Sequence, residues 1–229
     1  MGVVLTLLLA AACIAILVAV QVRHVRSVKA QRRAVLDDVA SLFDDVEIRQ
    51  DGIGYPSLTG RYGGDRVKVE LVVDTLAMRQ LPTLWLMVSV LRRLPIVNPV
   101  EILMRPRTSD IVSPSSKLAY EHQPPPGWPI DSRIATAHEE APRFAELAHA
   151  LPFLHDPHTK SLLVAPGGVR LVQELARGDI SRHRVVRRAK FDATLEPGHL
   201  RAVIDVTRAI APDVDPATAV ETTATTAWP

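Results

Sequence analysis

The first twenty apolar residues, Val3 to Val22, constrain this chain more than any other stretch. They carry no charge, and only Thr6 and Gln21 are polar. At about 1.5 Å rise per residue such a run spans roughly 30 Å as a helix, the thickness of a bilayer's hydrocarbon core. A helix satisfies its own backbone polar groups, so it can sit in lipid. A cleaved secretory signal would need a charged leader, a shorter apolar core and a small-residue cleavage pattern in a polar region. Here only Met1-Gly2 precede the run and a basic flank follows it. Cys13 follows Leu9-Ala10-Ala11-Ala12, a hint of lipoprotein processing, but the run stays largely apolar to Val22. Residues 1–22 therefore read as a transmembrane anchor.

Arg23, Arg26, Lys29, Arg32 and Arg33 form the flank, residues 23–33, and the first acid is Asp37. Basic flanks stay on the cytoplasmic side of a membrane. The expected topology is single-pass in the inner (cytoplasmic) membrane, N-terminus out and domain in the cytoplasm. The five charges also suit anionic headgroups.

The flank accounts for the basic pI of 8.9. Residues 34–229 hold all 25 acids against 22 bases, a net charge of −3. A nucleic-acid partner would need a basic face on the domain itself, so none is expected. The one cysteine lies inside the anchor, which leaves the domain without a disulfide, a thiolate metal site or a thiol nucleophile. Arg outnumbers Lys by 22 to 5, read as the coding bias of a GC-rich bacterium.

Residues 34–211 read as one α+β domain with a mainly antiparallel sheet and about three helices on one face. Its first helix is expected over Gln31–Val46, with Val35, Leu36, Val39, Leu42, Phe43 and Val46 on one stripe packed against the sheet. Leu58–Tyr62, Gly63-Gly64-Asp65 and Arg66–Asp74 read as a β-hairpin whose Val67, Val69, Leu71 and Val73 face inward. The glycines of residues 51–64 lack the strand–helix context of a phosphate loop. Leu81–Leu91 reads as a fully buried strand, with a helix lying on the bilayer as the alternative. Strands follow at Val100–Met104 and Ile130–Ala137.

Between these two strands, residues 106–129 form a Pro/Ser-rich crossover. Lys117–Tyr120 is a short strand within it, and Trp128 tucks onto the body. Its Pro124-Pro125-Pro126 is also the kind of stiff segment an aromatic groove reads. Glu140–Leu151 reads as a helix ended by Pro152. Thr159–Ala165 and Val169–Leu175 form a hairpin, with the second arm alternatively helical. Arg182–Phe191 is a basic strand, Pro197–Ala211 a last amphipathic helix, and residues 212–229 a disordered tail.

Imidazoles at His155 and His158, with His149 nearby and His138-Glu139-Glu140 upstream, are the best metal candidates, but they span a Pro in a loop and no H-E-x-x-H occurs, so they read as surface histidines in a turn and no metal is expected. Ser115 and Ser116 have no base partner in sequence, and no hydrolase motif is present. Arg182, Arg184 and Arg188 share one strand face and make a candidate anion site. Together these point to a membrane-tethered binding or assembly module with no cofactor. The lipid bilayer and a protein partner are expected, and a second copy of the chain is a further candidate. The alternatives are a membrane-linked hydrolase or metal enzyme built on the His138–His158 region, and a domain pressed on the bilayer through Arg92, Arg93 and the arginine strand.

Overall fold

The first helix, α1, runs unbroken from Gly2 to Ala34 in a computed structural model that describes residues 2–74, 82–107, 110, 113–114, 117–178 and 191–210. None of α1 is buried, and its best 18-residue window has a mean hydropathy of 3.1. It is long and apolar enough to cross a membrane. Its last turns touch the domain: Val25, Val28 and Arg32, three and four residues apart on one helix face, are half-buried.

A short α2 (Asp37–Ala40) leads into the sheet. The strands are β1 (Asp44–Arg49), β2 (Ser57–Tyr62), β3 (Asp65–Asp74), β4 (Thr83–Leu91), β5 (Val100–Met104), β6 (Tyr120–His122), β7 (Ser132–Thr136), β8 (Thr159–Ala165) and β9 (Gly168–Arg177). All nine make one sheet in the order β1-β2-β3-β4-β9-β8-β5-β7-β6. Every neighbouring pair is antiparallel. Helices α3 (Phe144–Leu147), α4 (Leu151–Leu154) and α5 (Pro197–Ile210) complete the domain. The fold is thus α+β with a single N-terminal helix, as the alternation of strand and helix patterns implies.

Strand periodicity decides the layers. On β3, Val67, Val69 and Leu71 are buried, and their cross-strand partners Val90, Val88 and Leu86 point the same way. These side chains meet Leu200, Val203, Ile204 and Ile210 of α5 in the main core. The hairpin turn between β2 and β3 needs two left-handed residues, and Gly63 (φ 54°) and Gly64 (φ 89°) supply them. At the β8–β9 turn a Cβ on Gly168 would come within 2.0 Å of the Val90 carbonyl oxygen, so only glycine fits. The central strand β4 is buried along eight of its nine residues. On its far side Trp85 and Met87 pack with Val172 in a small second cluster. Burial on both faces explains its unbroken apolar run and excludes a bilayer helix there.

Two helices differ from expectation. The Gln31–Val46 stripe divides: α1 ends at Ala34, α2 is one turn, and Asp44–Val46 joins β1. Asp45 takes a left-handed φ of 51° beside a bulge in β1, which breaks the helical path. Leu36, Val39 and Phe43 still reach the core, whereas Val46 is exposed. The Glu140–Leu151 helix is replaced by α3, a 3-10 turn (Ala148–Ala150) and α4. Pro152 lies in the first turn of α4, where its missing N–H costs nothing, and so starts a helix instead of ending one. The short strand of the crossover is β6, which starts at Tyr120, three residues later than Lys117–Tyr120 implies. Trp128 packs edge-on to Phe144, 5.2 Å between ring centroids. The basic strand 182–190 and the tail 212–229 lie outside the described residues.

Helix α5 closes the core, and Leu200 is fully buried in it. Leu200→Ala is expected to cost about 2–5 kcal/mol. Arg201→Ala, on the exposed side of the same helix, is expected to change stability by less than about 0.5 kcal/mol. Thermal unfolding of the full chain in mild detergent measures both.

Candidate functional site

The helices cover one face of the sheet, and the register defines what the other face carries. Cross-strand partners share a face. Glu47, Thr59, Lys68, Ser89, Arg170, Leu163, Glu101, Ala135 and Glu121 are successive partners across all nine strands. This single row crosses the helix-free face from edge to edge.

One half of that face is covered by the chain itself. After β5, Arg105 adopts a left-handed φ of 46°, and its guanidinium donates to the Pro157 carbonyl (2.8 Å) and the Thr159 carbonyl. The described residues of the strap that follows β5 (Arg105–Arg107, Asp110, Ser113, Pro114, Lys117 and Leu118) are pinned by polar contacts. Lys160 is 3 % exposed. Its Nζ donates to the carbonyls of Met104 and Arg105 (3.1 Å each) and pairs with Asp110 Oδ1 at 2.7 Å. Ser113 Oγ donates to Glu101 Oε2 at 2.6 Å, and Arg133 donates to the Leu118 carbonyl. Burial lowers the pKa of Lys160, and Asp110 opposes that shift. Burial raises the carboxyl of Glu101, against the Ser113 hydrogen bond and the charge of Arg133. Lys160 acts here as an internal cation with three acceptors around it. Glu101 and Lys160 are buried in this latch, with Ser113 half-buried above them.

Trp85, Met87 and Val172 on the same face are buried, while the other end of the face, over β1–β3 and down to Ser89 and Arg170, is open. It forms a trough of about 360 Å³ lined by Glu47, Arg49, Ser57, Thr59, Arg66, Lys68, Glu70, Ser89, Leu91 and Arg170. Ser89 is 1 % exposed and forms the floor, where Arg170 Nε donates to its Oγ at 3.2 Å. Burial lowers the Arg170 pKa, while the charges of Glu70 and Glu101 raise it. On the walls Arg49 pairs with Glu47 (2.6 Å) and Lys68 with Glu70 (2.8 Å).

The membrane flank does not act as five equivalent charges. The Arg32 guanidinium lies 4.9 Å from the centre of the Tyr55 ring and donates to the Ile53 carbonyl. Gln50 Nε2 bridges the carbonyls of Lys29 (3.1 Å) and Gly54 (2.9 Å). The β1–β2 connection is thus fastened to the base of α1. Arg23, Arg26, Lys29 and Arg33 remain exposed.

Other sequence candidates fall elsewhere. His155 Nε2 contacts the Gly127 carbonyl at 3.1 Å, and the His138 backbone is held by Asn98. His158 Nδ1 is 3.9 Å from Glu174, in a separate hollow of about 280 Å³ beside His199 and Glu196. Among the described residues no three His, Cys, Asp or Glu side chains gather as a metal set. Arg92 is committed inside the domain. It donates to Asp65 (2.9 and 2.6 Å), which also receives Arg208 at 2.7 Å. Burial raises the Asp65 pKa, but the bonds from Arg92 and Arg208 outweigh it and hold the carboxyl below its ordinary value. Arg182, Arg184 and Arg188 lie outside the described residues, as do Ser115 and Ser116.

The latch and the trough floor escaped the sequence reading. Their signal is a polar residue on a buried strand: Glu101 alone in β5, Ser89 within the apolar run of β4, and Lys160 between Thr159 and Ser161 at the start of β8. A comparison with known proteins found no matching family, no matching curated protein and no matching solved structure.

The latch makes a paired prediction. Lys160→Met leaves Asp110 buried without its cation and is expected to cost about 3–5 kcal/mol. Glu101 has a raised pKa in the folded state, so the stability it contributes is present below about pH 4.3 and lost as pH rises through that raised value. Glu101→Gln keeps an acceptor for Ser113 and removes the charge. At pH 7 it is expected to be at least as stable as the parent, with a flatter pH profile above pH 4. Denaturant titrations across pH 4–8 read both effects.

Proposed function

We propose that this chain is a membrane-tethered binding module, single-pass, with its domain in the cytoplasm and the open half of its sheet as the binding surface. One observation carries the reading: the helix-free face is sealed by the strap over β5–β7–β8, yet left open over β1–β3 down to Ser89 and Arg170. The same chain that buries Lys160 and Glu101 leaves a ten-residue polar trough uncovered.

Three further facts support it. The trough is built on strands, which hold side chains in fixed register and present a preformed site at little entropic cost. The domain is fastened to its helix through Arg32, Gln50 and Tyr55, so the trough is held at a set place relative to the anchor. Arg32 lies ten residues beyond Val22, about 15 Å along a helix, which puts the fastened loop just below the headgroups. The basic collar Arg23, Arg26, Lys29 and Arg33 favours the cytoplasmic side and contacts with anionic lipid.

A photo-crosslinking residue placed at Thr59, in the trough, tests this in native membranes. A specific adduct is expected from Thr59 and none from Ala202, which is exposed on α5. No adduct from Thr59, or the same adducts from both positions, contradicts the reading.

A further inference from the structure

We propose that the trough is a binding site for a phosphate group, seated against Arg66, Lys68 and Arg170. This rests on the open half being the binding surface, and it names the chemistry which that surface takes.

Residues 34–229 are acidic overall, at −3. The trough lining inverts that sign, with four basic side chains against two acidic ones. Both acids are already engaged, Glu47 with Arg49 and Glu70 with Lys68. A site that is positive inside an acidic domain is a local feature, not the overflow of a basic protein.

Placement is the second step. Arg61 and Arg66 are direct cross-strand partners. Like charges facing each other across a ladder destabilise it. Among the described residues Arg61 is offset by the exposed Asp45, 3.5 Å away. Among the described residues the Arg66 side chain has no hydrogen-bond or ion-pair partner. A dianion beside Arg66 relieves that repulsion. Its neighbours suit the role: Lys68 lies two residues along β3, and Lys68, Ser89 and Arg170 follow one another across β3, β4 and β9. A guanidinium grips two phosphate oxygens at once, an ammonium adds a point charge, and the Ser89 hydroxyl can donate to a third.

Depth and size complete it. The row descends from exposed Arg66 to half-buried Arg170 and buried Ser89. Charge pairing strengthens as water is excluded. The trough's roughly 360 Å³ exceeds the volume of one phosphate and leaves room for an attached organic group. Leu91, the cross-strand partner of Arg66, gives that group an apolar wall. A lipid phosphomonoester and a soluble phosphorylated molecule share this chemistry.

The test uses the full-length protein in phosphatidylcholine nanodiscs, titrated with inorganic pyrophosphate by calorimetry at 0.15 M salt. Saturable binding at one site is expected. Arg66→Glu, at an exposed position that leaves the core intact, is expected to weaken it at least tenfold. Lys117→Glu, exposed and outside the trough, is expected to change it less than twofold. Absence of saturable binding, or equal effects of the two substitutions, overturns the proposal. Repeating the titration in discs that contain phosphatidic acid separates the sources. Weakened pyrophosphate binding there identifies a headgroup as the occupant, and unchanged binding identifies a soluble phosphate. If pyrophosphate fails to bind while crosslinking from Thr59 still captures a partner, the anion chemistry is wrong and the binding surface stands.

Discussion

Everything in this domain depends on a nine-stranded antiparallel sheet that its helices cover on one face only. Helix α5 lays Leu200, Val203, Ile204 and Ile210 across the middle strands, and α2 and α4 extend the same layer. The opposite face must therefore meet water, the chain's own loops or another molecule. An antiparallel sheet tolerates a wet face, so openness alone identifies nothing. What distinguishes this sheet is that its second face is treated in two ways. Over β5, β7 and β8 the strap closes it with a buried lysine and a buried glutamate. Over β1–β3 the row continues as a positive trough, floored by Ser89 and Arg170.

The buried latch sets the boundary between those halves. Lys160 gathers two carbonyls and one carboxylate from the start of the strap, and Glu101 holds Ser113 further along. A buried ion pair is a poor source of net stability but a strict specifier of geometry when each partner has nowhere else to go. Its part here is to fix where the strap lies, and so where cover ends. At the opposite edge of the sheet, Arg32 and Gln50 fasten the β1–β2 connection to α1. The trough lies between these two attachments, and its position relative to the anchor follows from them.

Much of the fold was legible because burial leaves a periodic trace. The alternation of Val67, Val69 and Leu71 marked β3, the paired glycines marked its turn, and the 3.6-residue spacing of Leu200, Val203, Ile204 and Ile210 marked α5. The reading failed where two periods overlap. Val35 to Val46 satisfies a helical stripe, but a left-handed Asp45 moves its end into a strand. Pro152 reads as a terminator and acts as a first-turn residue, since proline suits both places. The trough was legible only in part. Lys68 and Glu70 announced a wet face, but that face becomes a site only when Ser89 and Arg170 arrive from strands that neighbour β3 through long-range pairing, which one chain's local pattern does not encode. The histidines at 155 and 158 are close in sequence but face different partners, Gly127 and Glu174.

We propose that the sheet has a sealed end and an open end, both on the cytoplasmic side of the N-terminal helix. The reaction of single cysteines with a membrane-impermeant maleimide tests it most directly. The residues are introduced as Thr59→Cys and Ala135→Cys, with Cys13 replaced, and labelled in inside-out and right-side-out membrane vesicles. The account predicts fast labelling of Thr59→Cys in inside-out vesicles, slow labelling of Ala135→Cys beneath the strap, and neither from the outside. Equal rates at the two positions, or labelling of Thr59→Cys in right-side-out vesicles, would contradict it.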